Sequence, residues 1–135
     1  VYNNTKKPFI ASHSNARSLC SHGRNLTDDM IKKIAERGGL IGANFYSTFL
    51  NDNYSGKDIS RIKDIVEHMK YIANVGGIDC VGIGSDFDGI DCPLEFENSS
   101  NMQLIYHEMK KSGFSENEIE KVFYKNALRL FEELL

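Results

Sequence analysis

The sequence predicts an α/β fold with a parallel sheet covered on both faces. Two observations predict it. Short apolar runs alternate with amphipathic helical stretches along the whole 135-residue chain. The apolar runs also lack the polar/apolar alternation of a sheet with one wet face. The order β-α-β-α-β-α then requires right-handed crossovers between parallel strands.

Each element has its own signal. "PFIASHS" (Pro8 to Ser14) is a short apolar run and reads as the first strand. The polar loop "NARSLCSHGRN" follows. "LTDDMIKKIAERGG" reads as a helix, with Thr27 as N-cap and Asp28 and Asp29 in the first turn, where acids favour the helix dipole. Met30, Ile31 and Ile34 are its expected apolar stripe, and Gly38 stops it. "LIGANFY" (Leu40 to Tyr46) is the second strand. "DISRIKDIVEHMKYIANVGG" is a longer helix with Ile62, Ile65, Val66 and Met69 on one face. "CVGIGSD" (Cys80 to Asp86) is the third strand. "NSSNMQLIYHEMKKSG" and "FSENEIEKVFYKNALRLFEELL" are two closing helices. Ser115 and Glu118 form a capping box in the second, and Phe114 and Ile119 a hydrophobic staple.

Composition narrows the function classes. The net charge is -3, with no basic cluster, so no nucleic-acid partner is expected. No apolar run approaches the ~18 residues of a spanning helix, and no membrane partner is expected. "VYNNTKKPFI" has no apolar h-region and "FEELL" is no lipid-anchor tail. Cys20, Cys80 and Cys92 are odd in number and lack metal-ligand spacing, so they are expected as reduced thiols in a cytoplasmic protein.

The unusual residues fall at one kind of place. His13 ends the first strand, Asn44 and Tyr46 the second, and Asp86 and Asp88 the third. In parallel α/β folds chemistry collects at the carboxyl ends of strands. Side chains two apart share a strand face. Ala11 therefore lies beneath His13, Gly42 beneath Asn44, and Gly82 and Gly84 beneath Asp86. Ile10, Ile41, Ala43, Val81 and Ile83 should then pack against helices. The small residues either leave room for a metal or substrate, or merely ease strand packing. His13 is either a metal ligand or a hydrogen-bonded structural histidine. His22 lies in a loop and could approach the site. His68 and His107 lie in helical patterns and are expected to be solvated or partly packed.

The motifs themselves resemble a known family. "PFIASHSNARSLCSHGRN", "NFY", "GIGSDFDG" and "NALRLFEE" are similar, in order and over nearly the whole chain, to segments of the renal (membrane) dipeptidase family, the M19 metallopeptidases. The resemblance implies a (β/α)8 TIM-type barrel with a pair of Zn²⁺ ions near the carboxyl face of its strands. It implies hydrolysis of dipeptides, including some with a C-terminal D-residue. By motif, His13 is a metal ligand. Arg24 binds the substrate's terminal carboxylate, which a guanidinium can grip with two parallel hydrogen bonds. Asp86 contacts the scissile nitrogen side and carries the proton. Asp88 matches the motif without a settled role, and turn stabilisation is its plain alternative. The family can carry Tyr where this chain has Phe49.

The departures are as informative as the matches. The family's His-x-Asp motif, its bridging Glu and a further upstream His have no counterpart here. Residues 1–135 are thus expected to be the C-terminal part of a single barrel domain, its last three β/α units (strands 6–8). Alone, such a piece is expected to be inactive, to hold less than stoichiometric Zn²⁺, and to form a homo-oligomer through exposed edges at the strands beginning at Phe9 and Val81. Two other readings remain open: another metal-dependent barrel hydrolase (amidohydrolase or phosphoesterase), or a non-enzymatic interaction domain.

Overall fold

A computed structural model describes residues 1–96 and 98–135. Three short strands, β1 (Ile10–Ala11), β2 (Leu40–Ala43) and β3 (Val81–Ile83), form a parallel sheet in the order β1-β2-β3. Ile10 pairs with Leu40, and Ile41, Gly42 and Ala43 pair with Val81, Gly82 and Ile83. Helix α1 (Asp28–Glu36) connects β1 to β2 and α2 (Ile62–Gly76) connects β2 to β3. After β3 come α3 (Gln103–Lys111), α4 (Glu116–Glu120) and α5 (Asn126–Leu134), the last two joined by a π-helical turn, Lys121–Lys125.

The expected caps are present. Thr27 accepts from the Met30 amide at the start of α1. Ser115 and Glu118 form both bonds of the capping box, and Phe114 and Ile119 are both buried. The strands are shorter than expected because their carboxyl ends turn early. The Asn44 side chain accepts from the Tyr46 amide at 2.6 Å, which ends β2 in a local turn.

The core lies between sheet and helices. Ile41, Ala43 and Val81 are fully buried against Ile31 of α1 and Ile65, Met69 and Ile72 of α2. Burying each large side chain contributes about 1.5–3 kcal/mol. Two expectations fail here. Ile10 is 46% exposed, on a two-residue strand at the edge of the sheet. Met30 is 43% exposed, since the inward face of its helix is made by Ile31, Ile34 and Ala35.

The two ends of the sheet differ. At the amino end, α5 clamps the chain. Asn126 donates to the carbonyls of Ile78 and Val81, and Arg129 donates to those of Gly38 and Asp79. At the carboxyl end, among the described residues, no helix closes in this way, and the strands deliver polar residues. Among the described residues no helix is long and apolar enough to cross a membrane.

Candidate active site

The carboxyl ends converge through backbone, not side chains. A Cβ on Gly42 would sit 2.2 Å from the Ser12 carbonyl oxygen, and one on Gly84 would sit 2.1 Å from the same atom. These glycines are there because the three strand ends crowd together. The reading that they leave room for a metal or substrate is therefore corrected. Gly82 likewise faces the Leu40 side chain, whose nearest atom would be 3.2 Å from an added Cβ.

Asp86 is set by a turn rather than by the sheet. It is the one described non-glycine residue with positive φ, at 60°. Aspartate tolerates this left-handed conformation better than most residues. Its carbonyl accepts from the Gly89 amide at 2.9 Å. Its carboxylate accepts from the Asn44 side-chain amide at 3.2 Å, which joins the ends of β2 and β3. A Cβ at Gly89 would lie 2.3 Å from Asp86 Oδ1, so glycine there lets the carboxylate lie across the turn. Asp88 is exposed, and the turn's hydrogen bond belongs to the backbone of Asp86 and Gly89.

The loop after β1 is fastened to β2. Asn15 is fully buried and bonds the Asn44 backbone twice, donating to its carbonyl at 3.0 Å and accepting from its amide at 2.8 Å. This places the segment carrying His13 beside the Asn44–Asp86 pair. His13 is half-buried, with Nδ1 2.8 Å from the Ser12 hydroxyl. That bond leaves Nε2 as the nitrogen for a ligand role.

Arg24 stands in a second cluster. Its guanidinium lies over the Phe49 ring, 6.0 Å from the centroid. His22 and Tyr46 flank the same ring at 4.5 and 5.0 Å. Asn25, buried beside Arg24, donates to the Cys20 and Phe49 carbonyls and so ties this loop to the turn after β2. His22 thus belongs to the Arg24 cluster.

His68 overturns its expectation. It is 1% exposed, with both ring nitrogens on backbone groups. Burial lowers its pKa from the ordinary 6.5, while the Leu50 carbonyl and, more weakly, Asp64 oppose that shift. Its position between Ile65 and Ile72 was the signal that it points inward. Asn15 and Asn25 carry no such signal, since a buried asparagine in a polar loop looks like any other in sequence.

The cysteines are buried and unpaired. Burial pushes the Cys80 thiol up to about 11. Among the described residues no three His, Cys, Asp or Glu side chains are grouped to hold a metal ion. Zinc sites use at least three protein ligands. By themselves the described residues therefore do not fit such a site.

The family model "Membrane dipeptidase (Peptidase family M19)" matches residues 1–134. The chain belongs to the M19 membrane dipeptidase family. An uncharacterised dipeptidase of Schizosaccharomyces pombe is 36% identical over 131 residues, 96% of this chain and 31% of that protein. The dipeptidase aclJ of Aspergillus oryzae is 32% identical over 135 residues, 99% of this chain and 32% of its own. A Rhodobacter sphaeroides metallopeptidase, solved with a phosphinate mimic of the dipeptide L-Ala-D-Ala, superposes with a TM-score of 0.89 at 29% identity, over 99% of this chain and 38% of that one. The α/β fold with its three-stranded parallel sheet is thus that of M19 dipeptidase structures. The chain spans about a third of the length of these three relatives.

Proposed function

We propose that this chain is the C-terminal part, the last three β/α units, of a zinc-dependent M19 dipeptidase barrel. One observation carries the reading beyond family membership: Asp86 and Asn44 meet at the carboxyl ends of β3 and β2, and Asn15 fastens the His13 loop to the same point. In the whole enzyme the substrate is a dipeptide, including one with a C-terminal D-residue, as the mimic bound by the Rhodobacter relative suggests.

Each residue then has a task. The exposed Arg24 grips the terminal carboxylate with parallel N–H donors, which selects short substrates with a free C-terminus. The Phe49 ring beneath it limits where the guanidinium swings. Asp86 accepts a proton on its carboxylate and passes it to the departing amine. The Asn44 amide holds that carboxylate at one oxygen and leaves the other to work. His13 contributes one metal ligand through Nε2, and the remaining ligands belong to parts of the barrel beyond these residues.

The exposed surfaces support the same reading. Tyr124 of the π-helical turn and Leu128 and Phe131 of α5 form an exposed apolar stripe, at 51, 50 and 57%. Ile10 exposes the β1 edge. A slice of a larger barrel presents such surfaces where neighbouring units pack, and alone it associates with copies of itself. Assaying the full-length protein on dipeptides and phosphoesters tests the function. Dipeptide hydrolysis is expected. Phosphoester hydrolysis alone would point to another barrel hydrolase, and neither activity to an interaction domain.

A further inference from the structure

Two of the three loops that carry the candidate site are joined through the interior. The loop after β1 bears His13 and Arg24, and the segment after β2 bears Asn44, Tyr46 and Phe49. Between them, from the middle of α2, stands His68. The Ala16 amide donates to its Nδ1 at 3.0 Å. Its Nε2 lies 3.0 Å from the Leu50 carbonyl. A backbone N–H only donates and a carbonyl only accepts, so Nδ1 is bare and Nε2 carries the hydrogen. The partners alone fix one neutral tautomer.

Packing does not explain this choice. Ile65, Val66, Met69 and Ile72 fill the same helix face with apolar side chains. Ala16 is 0% and Leu50 4% exposed, so water does not easily replace the histidine at either backbone group. The same two loops also touch where Asn25 donates to the Phe49 carbonyl and where the Cys20 thiol donates to that of Thr48. His68 is the deep member of this set.

We propose that His68 is a positioning residue for the dipeptidase reaction: its neutral imidazole is a strut that holds the Arg24 loop against the Phe49 loop. It touches no substrate and acts only through Ala16 and Leu50. This rests on the function proposed above.

The strut can be cut at either end. In His68→Asn the amide oxygen replaces Nδ1 as acceptor for Ala16. In His68→Gln the amide nitrogen replaces Nε2 as donor to Leu50. Hydrogen exchange at the Ala16 amide is read in this chain and dipeptide kinetics in the full-length protein. His68→Gln should speed Ala16 exchange about tenfold, the weight of one buried hydrogen bond, while Ile31 of α1 and Met109 of α3 stay protected. His68→Asn should keep Ala16 protected. In kinetics His68→Leu should raise the dipeptide KM more than it lowers kcat, with His68→Asn partly restoring it. Ala16 exchange that is equal in the Asn and Gln variants, or that rises together with Ile31 and Met109, would make His68 a packing residue and overturn the strut. Should His68→Leu fail to fold, the Asn and Gln pair decides alone. A full-length protein that cleaves no dipeptide would end the functional reading, and the exchange result would still settle the strut.

Discussion

The loop after β1 and the loop after β3 both carry candidate site residues, yet different forces hold them. The first, residues 12–27, is fastened from inside by polar side chains. Asn15, Asn25 and His68 are each at most 1% exposed, and each bonds backbone groups. In the second, residues 84–96, the turn bearing Asp86 is packed by aromatic rings, while the far end is tied through Glu95, which accepts from the Ile62 amide and pairs with Arg61. Phe87 and Phe96 meet Phe45 edge-on, with centroids 5.5 Å apart in each pair. Among the described residues a single side-chain bond, from Asn44, reaches Asp86. The contrast bears on function. Directional bonds give the Arg24 and His13 loop one arrangement. Aromatic packing anchors the Asp86 turn but leaves its carboxylate free to change partners.

The largest expected effect tests the first loop. Asn15→Ala leaves the buried Asn44 amide and carbonyl without partners, so stability should fall by about 3 kcal/mol. Phe87→Leu on the other loop keeps most of the apolar volume and loses edge contacts worth about 1 kcal/mol. Urea midpoints at unchanged m-value read both. Equal losses would erase the distinction between the loops.

Next comes turnover. Asp86→Asn keeps the acceptor for Asn44, and asparagine also tolerates positive φ. The titratable proton is gone. Turnover of a dipeptide by the full-length protein should fall by roughly 10², the usual scale for general acid–base catalysis, with the fold intact. Near wild-type turnover would remove Asp86 from proton transfer.

These differences show what the sequence could reveal. The Thr27 cap and the Ser115–Glu118 box were legible because their bonds span three residues. The strand-end placement of His13, Asn44 and Asp86 was legible from order alone. The locks of the first loop were not. Asn15 reaches across 29 residues to Asn44, and Ala16 across 52 to His68, and such pairs leave no local trace. His68 had a visible clue in its inward helical position, outweighed by its polarity. Nor does a glycine in a strand declare whether it makes space or fills it with another backbone, as Gly42 and Gly84 do beside Ser12.

A smaller effect should appear with pH, and only through the first loop. Burial holds the folded His68 pKa below 6.5, its value in an unfolded chain. Below about pH 6.5 the unfolded state therefore binds more protons than the folded one. The stability from the neutral imidazole is complete above that pH and is lost as pH falls toward the folded pKa. Asp52, Asp58 and Glu116 have lowered pKa values from hydrogen bonds to Ser21, Ser55 and Lys110, and they weaken the fold only at more acid pH. Between pH 7.5 and 5 the urea midpoint should drop more in wild type than in His68→Asn. Parallel curves would show that His68 does not titrate on unfolding.

The smallest effect belongs to Asp88, two residues from Asp86 in the same turn. An Asp-Gly pair suggests a side chain that stabilises its own turn. The structure gives that role to backbone: Gly89 donates to the Asp86 carbonyl, and the Asp88 side chain is exposed. Asp88→Asn should therefore shift stability by less than about 0.5 kcal/mol, the range of ordinary surface changes. Gly89→Ala is the matched control. Its new methyl would come within 2.3 Å of Asp86 Oδ1 and push the carboxylate off its place. Activity should fall with Gly89→Ala and hold with Asp88→Asn. A loss of about 1 kcal/mol or more in Asp88→Asn would mean that its carboxylate braces the turn after all. Lost turnover at full stability in that variant would mean that Asp88, rather than Asp86, handles the proton.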